Sequence, residues 1–219
     1  MAQPQRSPSS NRWLAEHHAD PHVLAARREG YRSRAAYKLL EIQEKYKLLK
    51  PGMTVLDLGA APGGWSQVAA SLVTPQGKVV AVDLLPMAAV APHVTVLQGD
   101  FLDDLVVDTI HQSLAGGRAQ VILSDMAANM SGNRTLDSLR GERLAEAVFQ
   151  VVHHTLAPDG ILVMKVFQGG AFSTLMVQGK ELFRTVRMTK PTASRDRSPE
   201  QYMIGLGFRG PGLVREVVS

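Results

Sequence analysis

The chain has 219 residues, 45% of them apolar and none of them cysteine, with a formal net charge of +4 at pH 7. That length supports one sizeable core, and the absence of cysteine excludes a disulfide framework. No apolar run approaches the ~18 residues of a membrane span and no apolar block follows a basic start, so the expected compartment is the cytoplasm.

Charge is unevenly spread along the chain. Residues 1–50 carry ten basic and five acidic side chains, residues 51–183 seven and twelve, and residues 184–219 seven and three. If the two basic ends fold onto one face, they form a surface suited to a polyanion such as nucleic acid. Solvated surface charge is the plain alternative.

The polar start suggests a tail over residues 1–10, followed by a basic helical segment over 11–50, a main domain over 51–209 and a C-terminal tail over 210–219. Helical patterns are expected at 33–46, 64–72, 101–114, 136–155 and 171–183. Between most of them run short apolar segments: "MTVLDLG", "GKVVAVDLL", "HVTVLQGD", "QVILSDMA" and "GILVMKVFQ". The alternation indicates an α/β fold with a buried, mostly parallel central sheet and helices on both faces. Two further strand-like pieces, around the polar loop of "FRTVRMTKPTASRDRSPEQYMIGLGF", have no helix between them and are expected to be antiparallel neighbours. Strands four and five are expected beside strand one.

The stretch "VLDLGAAPGGWSQVAA" passes from strand through a glycine turn into a helix, placing Asp57, Gly59, Pro62, Gly63 and Gly64 where open α/β sheets bind ligands. A dinucleotide fingerprint would need glycine at Ala61, and Pro62 offers no N–H to a pyrophosphate. S-adenosylmethionine, an adenosine with a methionine tail and no phosphate, fits better. Asp83 ends the second strand, where a carboxylate accepts ribose hydroxyls, and Asp100 ends the third, where one accepts an adenine amine. Trp65 is placed to wall the pocket, with a core position as the alternative; a helix cap is the alternative for Asp100.

Asp125 ends the fourth strand and Lys165 stands inside the apolar fifth, a costly place for an unpaired ammonium. Here the pattern becomes specific. "SRAAYKLLEI", "DLGAAPGGWSQ", "VDLLPM", "LQGDF", "LSDMAANMSG", "VMKVFQGG" and "SRDRSPEQY", in this order between about Ser10 and about Gly207, resemble the bacterial FtsJ-type methyltransferases. The resemblance implies a single-domain, Rossmann-like class I S-adenosylmethionine-dependent methyltransferase. It implies 2′-O-methylation of a ribose, a uridine of the A loop, in 23S ribosomal RNA of the large ribosomal subunit. It further implies a catalytic tetrad of Lys38, Asp125, Lys165 and Glu200, with donor contacts at Gly63, Trp65, Asp83, Asp100 and Asp125. Ala128, where proline is expected, and the tail "GPGLVREVVS" depart from the pattern without removing a proposed catalytic group.

The chemistry is consistent with that set. A ribose hydroxyl is a poor nucleophile and needs an in-line pose and a route for its proton. Lys165 serves either as a general base when neutral or, when charged, as an orienting group that stabilises alkoxide character. Lys38 and desolvation favour its neutral form, and Asp125 and Glu200 its charged form. No metal is required, and the pairs His17/His18 and His153/His154 diverge on a helix. Arg27, Arg28, Arg32, Arg34 and Lys38, interleaved with Tyr31 and Tyr37, are expected to face RNA beside Arg195 and Arg197. The rivals are a cap-type ribose methyltransferase, a small-molecule O-methyltransferase and a noncatalytic ribosome-assembly factor. A monomer is the expected state.

Overall fold

The computed structural model describes residues 20–114, 117–127, 132–169, 172–195 and 198–211. The expected tail over 1–10 lies outside them, as do Ala128, Arg197 and residues 212–219. The elements in chain order are α1 (Pro21–Glu29), α2 (Ala35–Tyr46), β1 (Thr54–Leu58), α3 (Gly64–Val73), β2 (Lys78–Asp83), β3 (Val94–Gln98), α4 (Asp104–Ser113), β4 (Ala119–Ser124), α5 (Arg134–Thr155), β5 (Leu156–Phe167), α6 (Phe172–Leu182), β6 (Phe183–Thr189) and β7 (Glu200–Phe208).

The seven strands form one sheet in the order β3-β2-β1-β4-β5-β7-β6. Strands β1 to β5 pair in parallel, while β7 runs antiparallel to both β5 and β6. The expected antiparallel pair is present, and β7 has inserted itself between its partner and β5. One expectation is corrected: β4 flanks β1, but β5 lies one strand further out, because β4 pairs with both. The order reverses between β1 and β4, so a crevice opens outside the carboxyl ends of these two strands.

Alternation along the strands feeds two cores. Leu56, Leu58, Val80, Val82, Ile122, Met164 and Val166 pack with residues of α4, α5 and α6. Their alternates Val55, Val79, Val121, Leu123 and Val163 pack with α2 and α3. Each aliphatic side chain of the Leu56 or Ile122 kind stabilises the fold by about 1.5–3 kcal/mol on burial.

Local signals set the helix ends. Asp20 caps α1 by accepting from His22 N, Pro21 occupies its first turn, and Gly30 ends it in the left-handed region at φ 79°. Helix α4 starts three residues later than the expected Phe101, because Asp103 is its cap and accepts from Leu105 N. Asp100 instead accepts from Leu102 N in a turn.

In β7, a Cβ on Gly205 would lie 2.6 Å from Cδ2 and 2.7 Å from Cγ of the fully buried Phe183. Gly205→Ala is therefore expected to destabilise the protein by about 1–3 kcal/mol through overpacking. A urea melt with a lower midpoint and unchanged slope would show this; an unchanged midpoint would mean that the ring has room to move.

Candidate active site

The four groups of the expected tetrad meet at the mouth of the crevice. Helix α2 turns its buried face toward β7, and Lys38 Nζ lies 2.7 Å from Glu200 Oε1. One strand away, Lys165 Nζ lies 3.0 Å from Asp125 Oδ1 and also donates to the Asp125 carbonyl. The β5–β7 register puts Lys165 opposite Tyr202 and Phe167 opposite Glu200, so β7 carries its carboxylate to the end of β5. The side chains of Lys38, Glu200 and Lys165 are only 11, 12 and 8% exposed, so each charge depends on its partner for neutralisation. Burial pushes the Glu200 carboxyl up, but the Lys38 ammonium, with help from Lys165, outweighs it and holds the group below its ordinary range.

Tyr202 joins the two pairs, and sequence reasoning did not single it out. Its hydroxyl donates to Asp125 Oδ1 at 2.6 Å, while Lys38 Nζ lies 5.7 Å from its ring centroid. Burial, then the charges of Asp125 and Glu200, raise the Tyr202 phenol well above its ordinary value, so it remains a donor. The available signal was "EQY": residues two apart on a strand share a face, so a site at Glu200 also receives residue 202. Beside the tetrad, a cavity of about 450 Å³ is lined by Arg34, Ala35, Lys38, Arg195, Ser198 and Glu200.

The glycine turn forms the other half of the crevice. Gly59 and Gly63 both have left-handed backbones, at φ 69° and 107°. A Cβ on Gly63 would come within 2.8 Å of Arg32 Nη1 and 2.9 Å of Met87 Sδ, and one on Gly64 within 2.3 Å of Ser33 Oγ. Asp83 braces the turn: Oδ2 accepts from Ala61 N and Oδ1 from Leu85 N, each at 2.8 Å. Pro62 and Asp100 are exposed at the rim.

Two residues of the expected donor site are turned inward. Trp65 is 3% exposed, donates from Nε1 to the Ala35 carbonyl and packs its ring at a tilt 5.6 Å from that of Tyr202, joining α2 to α3. Asp57 is 1% exposed and accepts from Ser66 Oγ at 2.6 Å, so it supports the turn from beneath.

The expected RNA-facing cations divide into two sets. Arg27 and Arg28 are exposed, Arg28 beside Glu29 at 3.3 Å. Arg32 and Arg34 are engaged within the protein, because carbonyl and carboxylate acceptors surround their guanidinium groups. Arg32 donates to the Pro62, Ala88 and Ala89 carbonyls, and Arg34 to Asp20 and the Ala193 carbonyl. Arg195 Nε lies 3.7 Å from the same Asp20 carboxylate.

Burial, partly offset by the Ser66 hydrogen bond and reinforced by Asp125 and Asp83, raises the Asp57 carboxyl from 3.8 to about 7. The folded chain therefore holds a proton that the unfolded chain releases near pH 4, and the resulting stability is lost as pH rises to about 7. Asp57→Asn removes this titration. Its stability relative to the parent is expected to increase between pH 5 and pH 8, measured as the difference in urea midpoints; a difference independent of pH would contradict the assignment.

Comparison with known proteins gives a consistent result. The family model for FtsJ-like methyltransferases matches residues 31–208. A protein of Magnetococcus marinus named ribosomal RNA large subunit methyltransferase E is 50% identical over 213 residues, covering 94% of this chain and 99% of that one. The protein of that name from Pseudomonas aeruginosa is 49% identical over 205 residues, with the same coverage. Among solved structures, a putative ribosomal RNA methyltransferase from Plasmodium falciparum superposes with a TM-score of 0.74 at 30% identity, covering 82% of this chain and 100% of that one. A family match that includes both ion pairs, with relatives about half identical over nearly their whole length, settles the membership: this chain belongs to the FtsJ-like methyltransferase family.

Proposed function

We propose that this protein transfers the methyl group of S-adenosylmethionine to a ribose 2′-hydroxyl of 23S ribosomal RNA, at a uridine of the A loop in the large subunit, acting in the cytoplasm as a monomer. The observation that carries the reading is the convergence of Lys38, Glu200, Asp125 and Lys165 beside the glycine turn. The large-subunit names of the bacterial relatives support the choice of RNA.

The residues at the β1–β3 ends suit the donor. Asp83 and Asp100 retain acceptor capacity for hydroxyl and amine groups. Beside them Leu84, Leu85, Leu102 and Leu105 are 66, 65, 51 and 76% exposed, apolar surface that a purine would cover. Gly63 lets the turn pack directly against Arg32 and Met87, where a side chain would clash.

Bound there, S-adenosylmethionine would supply a methyl on a positive sulfur, the S–CH₃ electron pair leaving with the sulfur as the ribose oxygen took the methyl. Lys165 directs two of its three N–H groups at Asp125, one to the carbonyl and one to the carboxylate. That arrangement leaves the third N–H for the ribose oxygen. Lys165 then orients the hydroxyl and stabilises the developing alkoxide, and solvent takes the proton. Asp125 fixes the lysine, and Tyr202 fixes Asp125.

Incubation with labelled donor and either large subunits or free 23S RNA, followed by mapping of the label, tests the function. Label on a ribose oxygen is expected; label on a base, on a small molecule or nowhere would reject it. Lys165→Ala is expected to slow single-turnover chemistry by roughly 10²–10⁴-fold with donor affinity retained. An orienting ammonium predicts no loss of chemistry on the acidic side attributable to this lysine, whereas a general base predicts one.

Arg27 and Arg28, on the last turn of α1, are the exposed cations of the proposed RNA path toward the cavity bounded by Arg34 and Arg195, Arg28 held only by a surface contact to Glu29. Replacing both with alanine is expected to weaken RNA binding and to reduce the slope of log K against log salt by up to about 2, leaving donor affinity unchanged. An unchanged slope would remove them from the path.

A further inference from the structure

Arg32 sits between the two halves of the site. Nη1 donates to the Pro62 carbonyl at 3.3 Å and the Ala88 carbonyl at 2.8 Å, and Nη2 donates to the Ala89 carbonyl. One guanidinium thus ties the glycine turn after β1 to the loop between β2 and β3, two segments that flank Asp83. Its own backbone is anchored as well. Arg32 N donates to Gln67 Oε1 at 2.8 Å, and Gln67 Nε2 donates to the Gly30 carbonyl at 3.0 Å, fixing the segment between α1 and α2 onto α3.

We propose that Arg32 is a positioning residue for the methyl donor, a clamp that holds the two rims of the donor cleft at their binding separation and takes no part in contacting RNA phosphate. The inference rests on the reading of the crevice as an S-adenosylmethionine site. The three contacts form a fork in which a charged planar donor meets neutral carbonyls, a geometry that lysine reproduces only in part. Pro62, Ala88 and Ala89 are exposed, so water replaces the lost donors when the guanidinium is removed and the fold survives. What is lost is order. The β2–β3 loop must then be immobilised when the donor binds, and that cost falls on donor affinity. The same segment places Arg34 and Lys38 on the acceptor side, so the clamp also fixes the donor cleft relative to the tetrad.

The test compares parent, Arg32→Ala and Arg32→Lys for equilibrium binding of S-adenosylmethionine, binding of 23S RNA across a salt series, and kcat and KM for the donor with large subunits. Arg32→Ala is expected to raise the donor Kd and KM roughly tenfold, with a smaller change in kcat. Its RNA salt slope is expected to match the parent, its melting temperature to stay within about 3 °C, and Arg32→Lys to recover part of the loss. Equal donor affinity in parent and Arg32→Ala, or a loss confined to RNA binding with a shallower salt slope, overturns the clamp. If Arg32→Ala melts much lower, Arg32→Lys decides: donor affinity identical to the parent overturns the clamp, and an intermediate affinity supports it. A parent protein that does not bind S-adenosylmethionine at all removes the underlying reading as well, so the two failures are distinguishable.

Discussion

The architecture depends on bringing two ammonium groups and two carboxylates out of water together. Separately, each would carry a desolvation penalty of several kcal/mol; paired, with short N–O contacts and a phenol donating to the same Asp125 oxygen as Lys165, they are neutralised where they stand. This requirement reaches far along the chain. Lys38 belongs to a helix that precedes the sheet and Glu200 to strand β7, and neither can be buried unless α2 and β7 have both docked. The interaction therefore links the basic flanks to the acidic middle and makes the four-group arrangement a property of the completed fold.

The half of the crevice proposed for the donor obeys a different logic. It is built mainly from backbone: glycines in left-handed conformations, exposed carbonyls, and a turn supported from above by Asp83 and from below by the buried Asp57–Ser66 hydrogen bond. Such a surface has little stiffness of its own, so cross-ties between segments matter more here than in the acceptor half, where ion pairs supply the rigidity. Arg32, Asp83 and Gln67 are the ties visible in this protein.

Much of this was legible in the sequence, because the residues concerned stand at strand ends that an alternating β/α pattern locates. Gly59, Asp83 and Asp125 are of this kind, and once the sheet order is known their convergence follows. Other features depend on register or on burial, which a linear pattern does not contain. The role of Tyr202 requires knowing that β7 lies against β5 with residue 202 opposite Lys165. Arg32 and Arg34 read as RNA-facing charges, since nothing local reveals that backbone carbonyls from residues 62, 88, 89 and 193 will accept from them. Asp57 on β1 and Trp65 on α3 flank the right loop with their side chains buried. Helix α1 had its signals in plain view, an Asp-Pro start and a glycine stop, yet its boundaries were not separated from the longer basic segment.

The position of β7 has a temporal corollary. Because the carboxyl-terminal strand slots into a gap between two earlier ones, the nascent polypeptide emerges with its glycine loop, Asp125 and Lys165 already made while the counter-charge for Lys38 has yet to be synthesised. Any product ending before residue 200 lacks both that carboxylate and the phenol that steadies Asp125. The proposed site is thus completed all at once, with the closing of a single gap in the sheet.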